Sequence, residues 1–187
     1  MSETVRAHVA FGSNLGDRIG QLVSARDALV ATASVRFVAA SRIWETEPVG
    51  PPGQSAYLNA AIALDVQLPP RKLLELLLAL ERRAGRDRDR ELVRWGPRVL
   101  DLDLLLYGDR VICEPDLEIP HPRLHERSFV LEPLCEIAGG QVHPRLGGTL
   151  ASHLSRCRRP GAAQPWQSGS GWVASVRSAD AAEKIET

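Results

Sequence analysis

One stretch, VLDLDLLLY from Val99 to Tyr107, constrains the fold more than any other part of this sequence. Its leucines, valine and tyrosine predict a strand, and side chains along a strand alternate between the two faces of a sheet. Asp101 and Asp103 therefore point the same way. The leucines between and after them could not all be buried in a simple solvent edge, so the sequence predicts two neighbouring carboxylates on one face of an apolar strand.

Two carboxylates at close range raise the pKa of one of them or require a cation between them. Mg²⁺ is the natural candidate, because it typically takes one or two carboxylates and completes its shell with water and phosphate oxygens. Two structural alternatives remain open: the aspartates could face water on the open side of the sheet, or they could pair with Arg98. The preceding Trp-Gly-Pro-Arg sequence places an aromatic and an arginine beside the acidic pair, and it favours the metal site.

The order of predicted elements indicates a ferredoxin-like α+β sandwich. Further strands are predicted over Val5–Phe11, Val35–Glu45 and Tyr57–Val66, with helices after Asp17 and from Pro69 to about Ala84. Across residues 1–108 the order is strand, helix, strand, strand, helix, strand. We therefore expect one antiparallel sheet with helices packed against one face. The segment EPVGPPGQS between the second and third strands is too rich in proline and glycine for regular structure and predicts a shaped loop.

The helix beginning at Pro69 carries a second apolar stripe beside its core-facing one. Leu74, Leu78 and Glu81 form this stripe, which a single buried face does not require. It either packs on a neighbouring element or walls a ligand pocket that ends in a carboxylate.

Composition separates the chain into two parts and limits its partners. Residues 1–157 predict one domain, and residues 158–187 predict an extension that is irregular or partly disordered, despite Trp166 and Trp172. The formal net charge is zero, so a global basic field for nucleic acid is absent. The chain has three cysteines without a CxxC pair, no signal peptide and no apolar run of membrane-spanning length, which makes the cytoplasm the expected location.

No P-loop motif occurs, so a bound nucleotide would be held by a metal ion and side chains. Eight arginines lie between Arg71 and Arg98, and arginine suits bidentate phosphate contacts. A solvated, salt-bridged segment is the alternative, because acidic residues alternate with these arginines. The candidate phosphate ligands are Arg86, Arg88, Arg98, His121 and Arg127.

Five sequence blocks resemble the 6-hydroxymethyl-7,8-dihydropterin pyrophosphokinase family. They are RWGPRVLDLDLLLYG, GSNLGDR, YLNAAIAL, GRDR and IPHPRLHERSFVLEPL, and the resemblance covers roughly Val5 to Leu154. It implies a ferredoxin-like fold and transfer of the β,γ-pyrophosphoryl group of ATP to the pterin hydroxymethyl group, with release of AMP. It also implies two Mg²⁺ ions and small-molecule substrates, and we expect a monomer that binds neither nucleic acid nor membrane.

The resemblance assigns roles to individual residues. Asp101 and Asp103 would be the metal ligands and, together with Arg88 and Arg98, the catalytic residues. Positions at the nucleotide are Leu74, Glu81, Arg86, Arg88, Arg98, Leu104, His121 and Arg127. Positions at the pterin are Thr46, Val49, Tyr57, Asn59, Trp95 and Phe129, of which Trp95 and Phe129 can stack on the flat ring and Asn59 can bind its edge.

Three residues depart from the family pattern. Leu78 stands where a polar residue is common, Glu47 follows Thr46 where proline is common, and Asp116 replaces an expected basic residue. Two other functions compete with the transferase on the same residues. A ferredoxin-like RNA-binding module would display aromatics on its central strands, and a metal-dependent phosphohydrolase would need a water-positioning residue that the sequence does not single out.

Overall fold

The computed structural model describes residues 3–48, 50–86, 96–157, 163–166 and 172. Eight strands, four α-helices and one 3₁₀ helix occur in these ranges. In chain order they are β1 (Val5–Ser13), α1 (Arg18–Val30), β2 (Val35–Ala40), β3 (Trp44–Thr46), β4 (Tyr57–Val66), α2 (Pro70–Arg83), β5 (Asp101–Tyr107), β6 (Ile112–Glu114), β7 (Leu117–Ile119), the 3₁₀ helix Leu124–Glu126, α3 (Ser128–Ala138), α4 (Leu150–Cys157) and β8 (Ala163–Pro165).

One antiparallel sheet organises the domain. Its strand order is β5-β1-β4-β3-β8, and β2 pairs with β4 beside β3. The element order from β1 to β5, with β1 and β4 in the centre, is that of a ferredoxin-like sandwich, so the predicted fold class is confirmed. The strand that carries the two aspartates, β5, lies at one edge of the sheet and pairs with β1.

The main core fills the space between the sheet and helices α1 and α2. Phe11 of β1 and Leu102 of β5 point to this side, and both are almost fully buried. Helix α1 contributes Leu22 and Leu29, and α2 contributes its predicted core stripe, including Leu73. Because these side chains use one face of each strand, the alternate residues of β1, β4 and β5 are left to the opposite face.

The opposite face is covered in part by α3, which corrects the expectation that helices pack on one face only. Ala10 of β1, Ala61 of β4 and Leu105 of β5 form a second cluster with Leu131 and Leu134 of α3. The two alanines leave a shallow apolar surface, and a helix can approach it closely and remove it from water. The face is therefore divided between an apolar half under α3 and a polar half beyond it.

The second predicted strand, Val35–Glu45, is interrupted. It forms β2 and β3, which are separated at Ser41, where the regular backbone hydrogen bonding to β4 is interrupted. The Ser41 amide donates to the Ala61 carbonyl at 2.9 Å, while the Ala61 amide donates to the Ser41 hydroxyl at 2.9 Å. A side-chain oxygen thus takes the place of a backbone carbonyl, and sequence patterns of apolar residues carry no signal for such a substitution.

The turn residues explain one of the departures from the family pattern. Asp116 lies in the two-residue turn between β6 and β7 and has φ of 61°. Asp tolerates this left-handed conformation better than most residues, and Pro115 before it suits the first turn position. The Pro115 carbonyl in turn accepts a hydrogen bond from Arg71 at 2.7 Å, which attaches the turn to the start of α2.

The segment after residue 157 is more ordered, at its described positions, than the sequence predicts. Strand β8 pairs with β3 and extends the sheet. Trp172 is 1% exposed; its ring meets Phe11 edge-on at 5.4 Å, and its Nε1 donates to the Ser41 carbonyl at 2.8 Å. The prediction of an irregular extension is therefore wrong for residues 163–165, which form a strand, and for Trp172, which is buried in the main core. Both depend on contacts with residues far away in the sequence.

The burial of the cysteines and the lengths of the helices complete the description of the fold. Cys113 is exposed, and Cys135 and Cys157 are partly buried. Within the ranges that the structure describes, none of the helices is both long enough and apolar enough to cross a membrane.

We expect the substitution Trp172→Ala to lower the free energy of unfolding by about 3 kcal/mol, because it leaves a cavity beside Phe11 and an unpaired Ser41 carbonyl. Urea denaturation followed by circular dichroism measures the change. Trp166→Ala is the matched control, since Trp166 is only partly buried and rests on the Arg18 guanidinium at 5.1 Å. Equal losses for the two variants would contradict the anchoring role of Trp172.

Candidate active site

Two rows of residues across β5, β1 and β4 form the floor of the candidate site. In one row Asp101, Gly12 and Asn59 are direct neighbours, and in the next row Asp103 stands beside Ala10, which pairs with Ala61. Residues directly opposite each other in a sheet share a face. The two carboxylates, the Gly12 backbone and the Asn59 amide therefore line one continuous surface, on the face opposite to the main core.

The two carboxylates differ in how completely arginines neutralise them. The Oδ1 of Asp101 accepts from Arg86 at 2.5 Å and its Oδ2 accepts from Arg98 at 2.6 Å. Asp103 has looser partners: its Oδ2 lies 3.4 Å from Nη1 of Arg127 and 3.8 Å from Nε2 of His121. The pairing with Arg98 that the sequence left as an alternative does occur at Asp101, whereas Asp103 is held less closely by its partners in the described part of the chain.

Glu81 supports this arrangement from beneath. Its side chain is 1% exposed, and its Oε1 accepts from Arg86 at 2.6 Å and from the Leu102 amide at 2.8 Å. The same carboxylate thus fixes the backbone of β5 between the two aspartates and one of the arginines that holds Asp101. A buried charge is tolerated only when it is paired and hydrogen-bonded in this way.

The surrounding charges shift the pKa values of the two aspartates in opposite directions. Burial would raise the pKa of Asp101, but the charges of Arg98 and Arg86 and their hydrogen bonds outweigh it and hold that pKa below its ordinary value. Burial, followed by the charge of Asp101, raises the pKa of Asp103 to about 6. Asp103 is therefore the carboxylate with an unmet need for positive charge.

His121 is neutral at physiological pH. Burial, followed by the charge of Arg127, lowers its pKa to about 4. Its Nδ1 accepts a hydrogen bond from the Arg123 amide at 3.2 Å, so the proton of the neutral ring is on Nε2, which is the nitrogen that faces Asp103. His121 thus presents an uncharged N–H donor to the site.

The other end of the floor is polar and tightly packed. Asn59 is 7% exposed and Thr46 is 4% exposed, and the Asn59 amide donates to the Thr46 hydroxyl at 2.7 Å. The Tyr57 hydroxyl donates to the Gly96 carbonyl at 3.1 Å, which connects the start of β4 to the segment before Asp101. The structure therefore brings together Thr46, Tyr57 and Asn59 at one end and Asp101 and Asp103 at the other.

Gly12 is a site residue that the sequence analysis missed. The first strand was predicted to end at Phe11, but β1 continues to Ser13 and Gly12 lies in the middle of the floor. A Cβ atom there would lie 3.3 Å from the Asn59 Oδ1 and 3.6 Å from the Asp101 Cβ. A glycine inside a strand often marks a close approach of another group. Gly12 directly after the apolar run of β1 was therefore the sequence signal for this site residue.

The remaining predicted site residues differ in burial and in the face of the sheet on which they lie. Phe129 is partly buried at the start of α3, with the Arg127 guanidinium 5.9 Å from its ring centre. Leu74 packs on the main core and Leu78 is partly buried. Leu104 is 4% exposed in that core, on the face away from the carboxylates, so its side chain cannot contact a ligand on the floor and only its main chain could bind a nucleotide. Val49, Arg88 and Trp95 lie outside the described residues.

The two aspartates fit a magnesium site that is completed by a ligand. Among the described residues, no third His, Cys, Asp or Glu joins them to make a metal cage. Two carboxylates without further protein ligands are typical of Mg²⁺ bound together with substrate phosphates and water. The raised pKa of Asp103 has the same cause, since burial and the neighbouring Asp101 charge both disfavour its ionised form and a bound cation would favour it.

Comparisons with known proteins agree on one family. The family model described as "7,8-dihydro-6-hydroxymethylpterin-pyrophosphokinase (HPPK)" matches residues 8–139. A protein of Pseudomonas aeruginosa named 2-amino-4-hydroxy-6-hydroxymethyldihydropteridine pyrophosphokinase is 43% identical over 163 residues, which are 84% of this chain and 98% of that protein. A protein of the same name from Methylorubrum extorquens is 45% identical over 133 residues, covering 71% of this chain and 82% of the relative.

The fold also resembles solved structures. The wild-type HPPK-DHPS of Plasmodium falciparum aligns with a TM-score of 0.63 and 13% identity, over 83% of this chain and 45% of that one. The chain thus spans less than half of the Plasmodium protein, and at this identity the likeness concerns the fold alone.

Replacing each aspartate by its amide should change stability in opposite directions. In EDTA at pH 7, Asp103→Asn should raise the free energy of unfolding by about 1–2 kcal/mol, because an ionised group whose native pKa is raised destabilises the fold. Asp101→Asn should lower it, since the buried Arg86 loses a partner. Urea denaturation measures both.

The pH dependence provides the control. Between about pH 4 and pH 6 native Asp103 binds more protons than the unfolded chain, so its contribution to stability falls as pH rises through that window. The gain from Asp103→Asn should therefore vanish near pH 4. A gain that is independent of pH would contradict this interpretation.

Proposed function

This chain belongs to the 7,8-dihydro-6-hydroxymethylpterin-pyrophosphokinase family, and from that membership we propose how its site performs the family's reaction. It is a pyrophosphokinase of folate biosynthesis that uses ATP as co-substrate and transfers pyrophosphate to the hydroxymethyl group of 6-hydroxymethyl-7,8-dihydropterin. The pterin hydroxyl oxygen forms a bond to the β-phosphorus of ATP, the bond from that phosphorus to the α-phosphate oxygen breaks, and AMP leaves while the hydroxyl gives up its proton.

The phosphates bind at the end of the floor that carries the carboxylates. Asp101 and Asp103 would hold the Mg²⁺ ions, of which the resemblance implies two, and bound Mg²⁺ would neutralise phosphate charge and polarise the phosphorus that is attacked. The observation that carries this assignment is the less closely held Asp103 beside an Asp101 that two arginines already hold. His121 supports it, because its neutral N–H faces the same space and can donate to a phosphate oxygen.

Exposure separates the arginines by role. The side chain of Arg86 is 4% exposed and is held between Glu81 and Asp101, so it stays in place as a fixed positive charge. Arg98 and Arg127 are 25% and 21% exposed, and each has an aspartate as its ion-pair partner. When a triphosphate arrives, these two guanidinium groups can exchange a carboxylate for a phosphate, and the aspartates are then available to the cations. Arg88 would add a further phosphate contact.

The pterin binds at the other end, over Gly12. Asn59 offers both a donor and an acceptor to the edge of the ring, and its hydrogen bond with Thr46 fixes the orientation of the amide. By the resemblance, Phe129 and Trp95 would stack on the two ring faces, and Tyr57 and Val49 would line the rest of the pterin site. Discrimination is strong in such a site, because an analogue without the matching edge leaves buried polar groups unpaired.

The setting of the enzyme follows from its surface. We place it in the cytoplasm, because its three cysteines form no CxxC pair and indicate no disulfide framework. The large apolar side chains exposed in the described ranges are few, namely Leu15, Val111, Val142 and Leu146, which suits a monomer. The balanced net charge and the floor of Gly12, Ala10 and Asn59 in place of exposed aromatics argue against an RNA-binding sheet.

The reaction is tested by measuring AMP release with ATP, Mg²⁺ and 6-hydroxymethyl-7,8-dihydropterin, omitting each in turn. We expect no AMP in the absence of any component. Asp101→Asn and Asp103→Asn should each lower kcat by more than about 100-fold, because charge stabilisation of the phosphates is lost. Asp109→Asn is the control, since Asp109 is exposed and remote from the floor, and it should leave kcat unchanged. Mg²⁺-dependent AMP release retained in both floor variants would overturn the metal assignment.

Gly12→Ala should raise the KM for the pterin by about tenfold or more and change the KM for ATP little, because the added methyl group occupies the floor beside Asn59. Stability should change by less than about 1 kcal/mol, since a strand glycine gains from the Ala side chain what the tight contact costs. Gly140→Ala adds a methyl group that meets nothing within 4 Å and serves as the matched control. A wild-type pterin KM in Gly12→Ala would place the pterin elsewhere.

A further inference from the structure

Of the GSNLGDR motif at the end of β1, the proposed function uses Gly12 and leaves Asn14 without a role. Its Asn14 is 2% exposed and lies behind the floor, at the junction of two segments that come from distant parts of the chain. One is the end of the proline-rich loop, around Gln54 and Ser55. The other is the segment from Gly96 to Arg98 that leads into β5.

Asn14 is bonded to Arg98 through both its main chain and its side chain. The Arg98 amide donates to the Asn14 Oδ1 at 2.6 Å, and the Asn14 amide donates to the Arg98 carbonyl at 3.0 Å. This reciprocal pair fixes the backbone of the residue whose guanidinium holds Asp101. The side-chain oxygen of Asn14 is thereby committed to the phosphate half of the site.

The other end of the same amide group is bonded to the proline-rich loop. The Asn14 Nδ2 donates to the Gln54 Oε1 at 3.2 Å and to the Ser55 carbonyl at 3.2 Å. An asparagine amide has one acceptor oxygen and two donor hydrogens, and here the oxygen serves one segment and the hydrogens serve the other. No other common side chain of this size offers both functions.

The two segments belong to different halves of the site. Residues after Ser55 continue into β4, which carries Tyr57 and Asn59 at the pterin end. Arg98 lies three residues before Asp101 at the phosphate end. A ligand that orders one segment removes conformational freedom from the other through Asn14, so the second ligand loses less entropy on binding.

We propose that Asn14 is a positioning residue that couples the phosphate half of the site to the pterin half. The inference rests on the proposed function, since it takes ATP and the pterin as the two ligands. Asn14 contacts neither ligand; it fixes the separation of the two segments that hold them. The coupling is reciprocal, so each ligand raises the affinity of the other by the same factor.

Arg18, in the same motif, provides a matched control. Its Nη1 donates to the Ala56 carbonyl at 2.7 Å and to the Glu45 carboxylate at 2.9 Å, so it holds the proline-rich loop and β3. None of its hydrogen bonds in the described part of the chain reaches residues 96–98. Loss of Arg18 therefore weakens the pterin half without cutting the connection to the phosphate half.

The test is calorimetric titration of the whole chain with 6-hydroxymethylpterin, in the absence and in the presence of saturating Mg²⁺ and α,β-methylene-ATP. The ratio of the two dissociation constants measures the coupling. We expect a ratio of about fivefold or more for the wild type. Asn14→Ala should reduce this ratio to within about twofold of unity. Arg18→Ala should weaken pterin binding both with and without the nucleotide analogue and keep the wild-type ratio.

Asn14→Asp tests the same point with almost no change in shape. It keeps the oxygen that accepts from the Arg98 amide but replaces the donor to Ser55 with a second oxygen, so the ratio should fall as it does for Asn14→Ala. A wild-type ratio in either Asn14 variant, an equal loss of coupling in Arg18→Ala, or no coupling in the wild type would overturn the proposal. Absence of any pterin binding by the wild type would instead refute the proposed function.

Hydrogen exchange on the wild-type chain covers the case in which the Asn14 variants do not fold. Mg²⁺ and α,β-methylene-ATP alone should slow amide exchange in residues 54–57 as well as in residues 96–98. Protection confined to residues 96–98 would show that the two segments are independent, and the proposal would fail. The Tyr57 hydroxyl bond to Gly96 also connects the two segments, so Tyr57→Phe should lower the coupling of the wild type but change it little in Asn14→Ala, where it is already lost.

Discussion

The ion pair between buried Arg86 and the carboxylates of Glu81 and Asp101 is the interaction on which the site depends. Without it, Glu81, Asp101 and Asp103 would place three like charges around one strand. With it, Asp101 is neutralised within the protein, whereas burial and the charge of Asp101 keep the pKa of Asp103 raised. The domain thus tolerates the acidic pair in the absence of substrate and still presents one reactive carboxylate to it.

The sequence predicted the elements of the fold better than their interruptions. The bounds of strand β4 and helix α2 matched the prediction almost residue for residue, because a short apolar run and an apolar stripe at helical spacing are both local signals. The break at Ser41 and the cover of Ala10 and Ala61 by α3 were missed. Both depend on contacts between residues far apart in sequence, and local periodicity carries no information about them.

The site followed the same division. The common face of Asp101 and Asp103 could be predicted from alternation along one strand, and His121 was a candidate phosphate ligand from the sequence, whereas the roles of Thr46 and Asn59 came from resemblance. The structure brings these residues to one surface. The roles of Gly12, Asn14 and Glu81 were not predicted. Gly12 acts through the space beside Asn59, Asn14 through bonds to two distant segments, and Glu81 through its bond to the Leu102 amide, and these contacts are visible only in the structure.

Trp172 has a consequence for how the chain acquires its structure during synthesis. Its indole donates to the carbonyl of Ser41, 131 residues earlier, and covers the ring of Phe11. While the residues between Ser41 and Trp172 are being synthesised, the strands can pair and the helices can pack. The core surface around Phe11 remains exposed to water during that time. The nascent domain therefore matures only after its last tryptophan has been released from the exit tunnel, which makes final closure a late, long-range event.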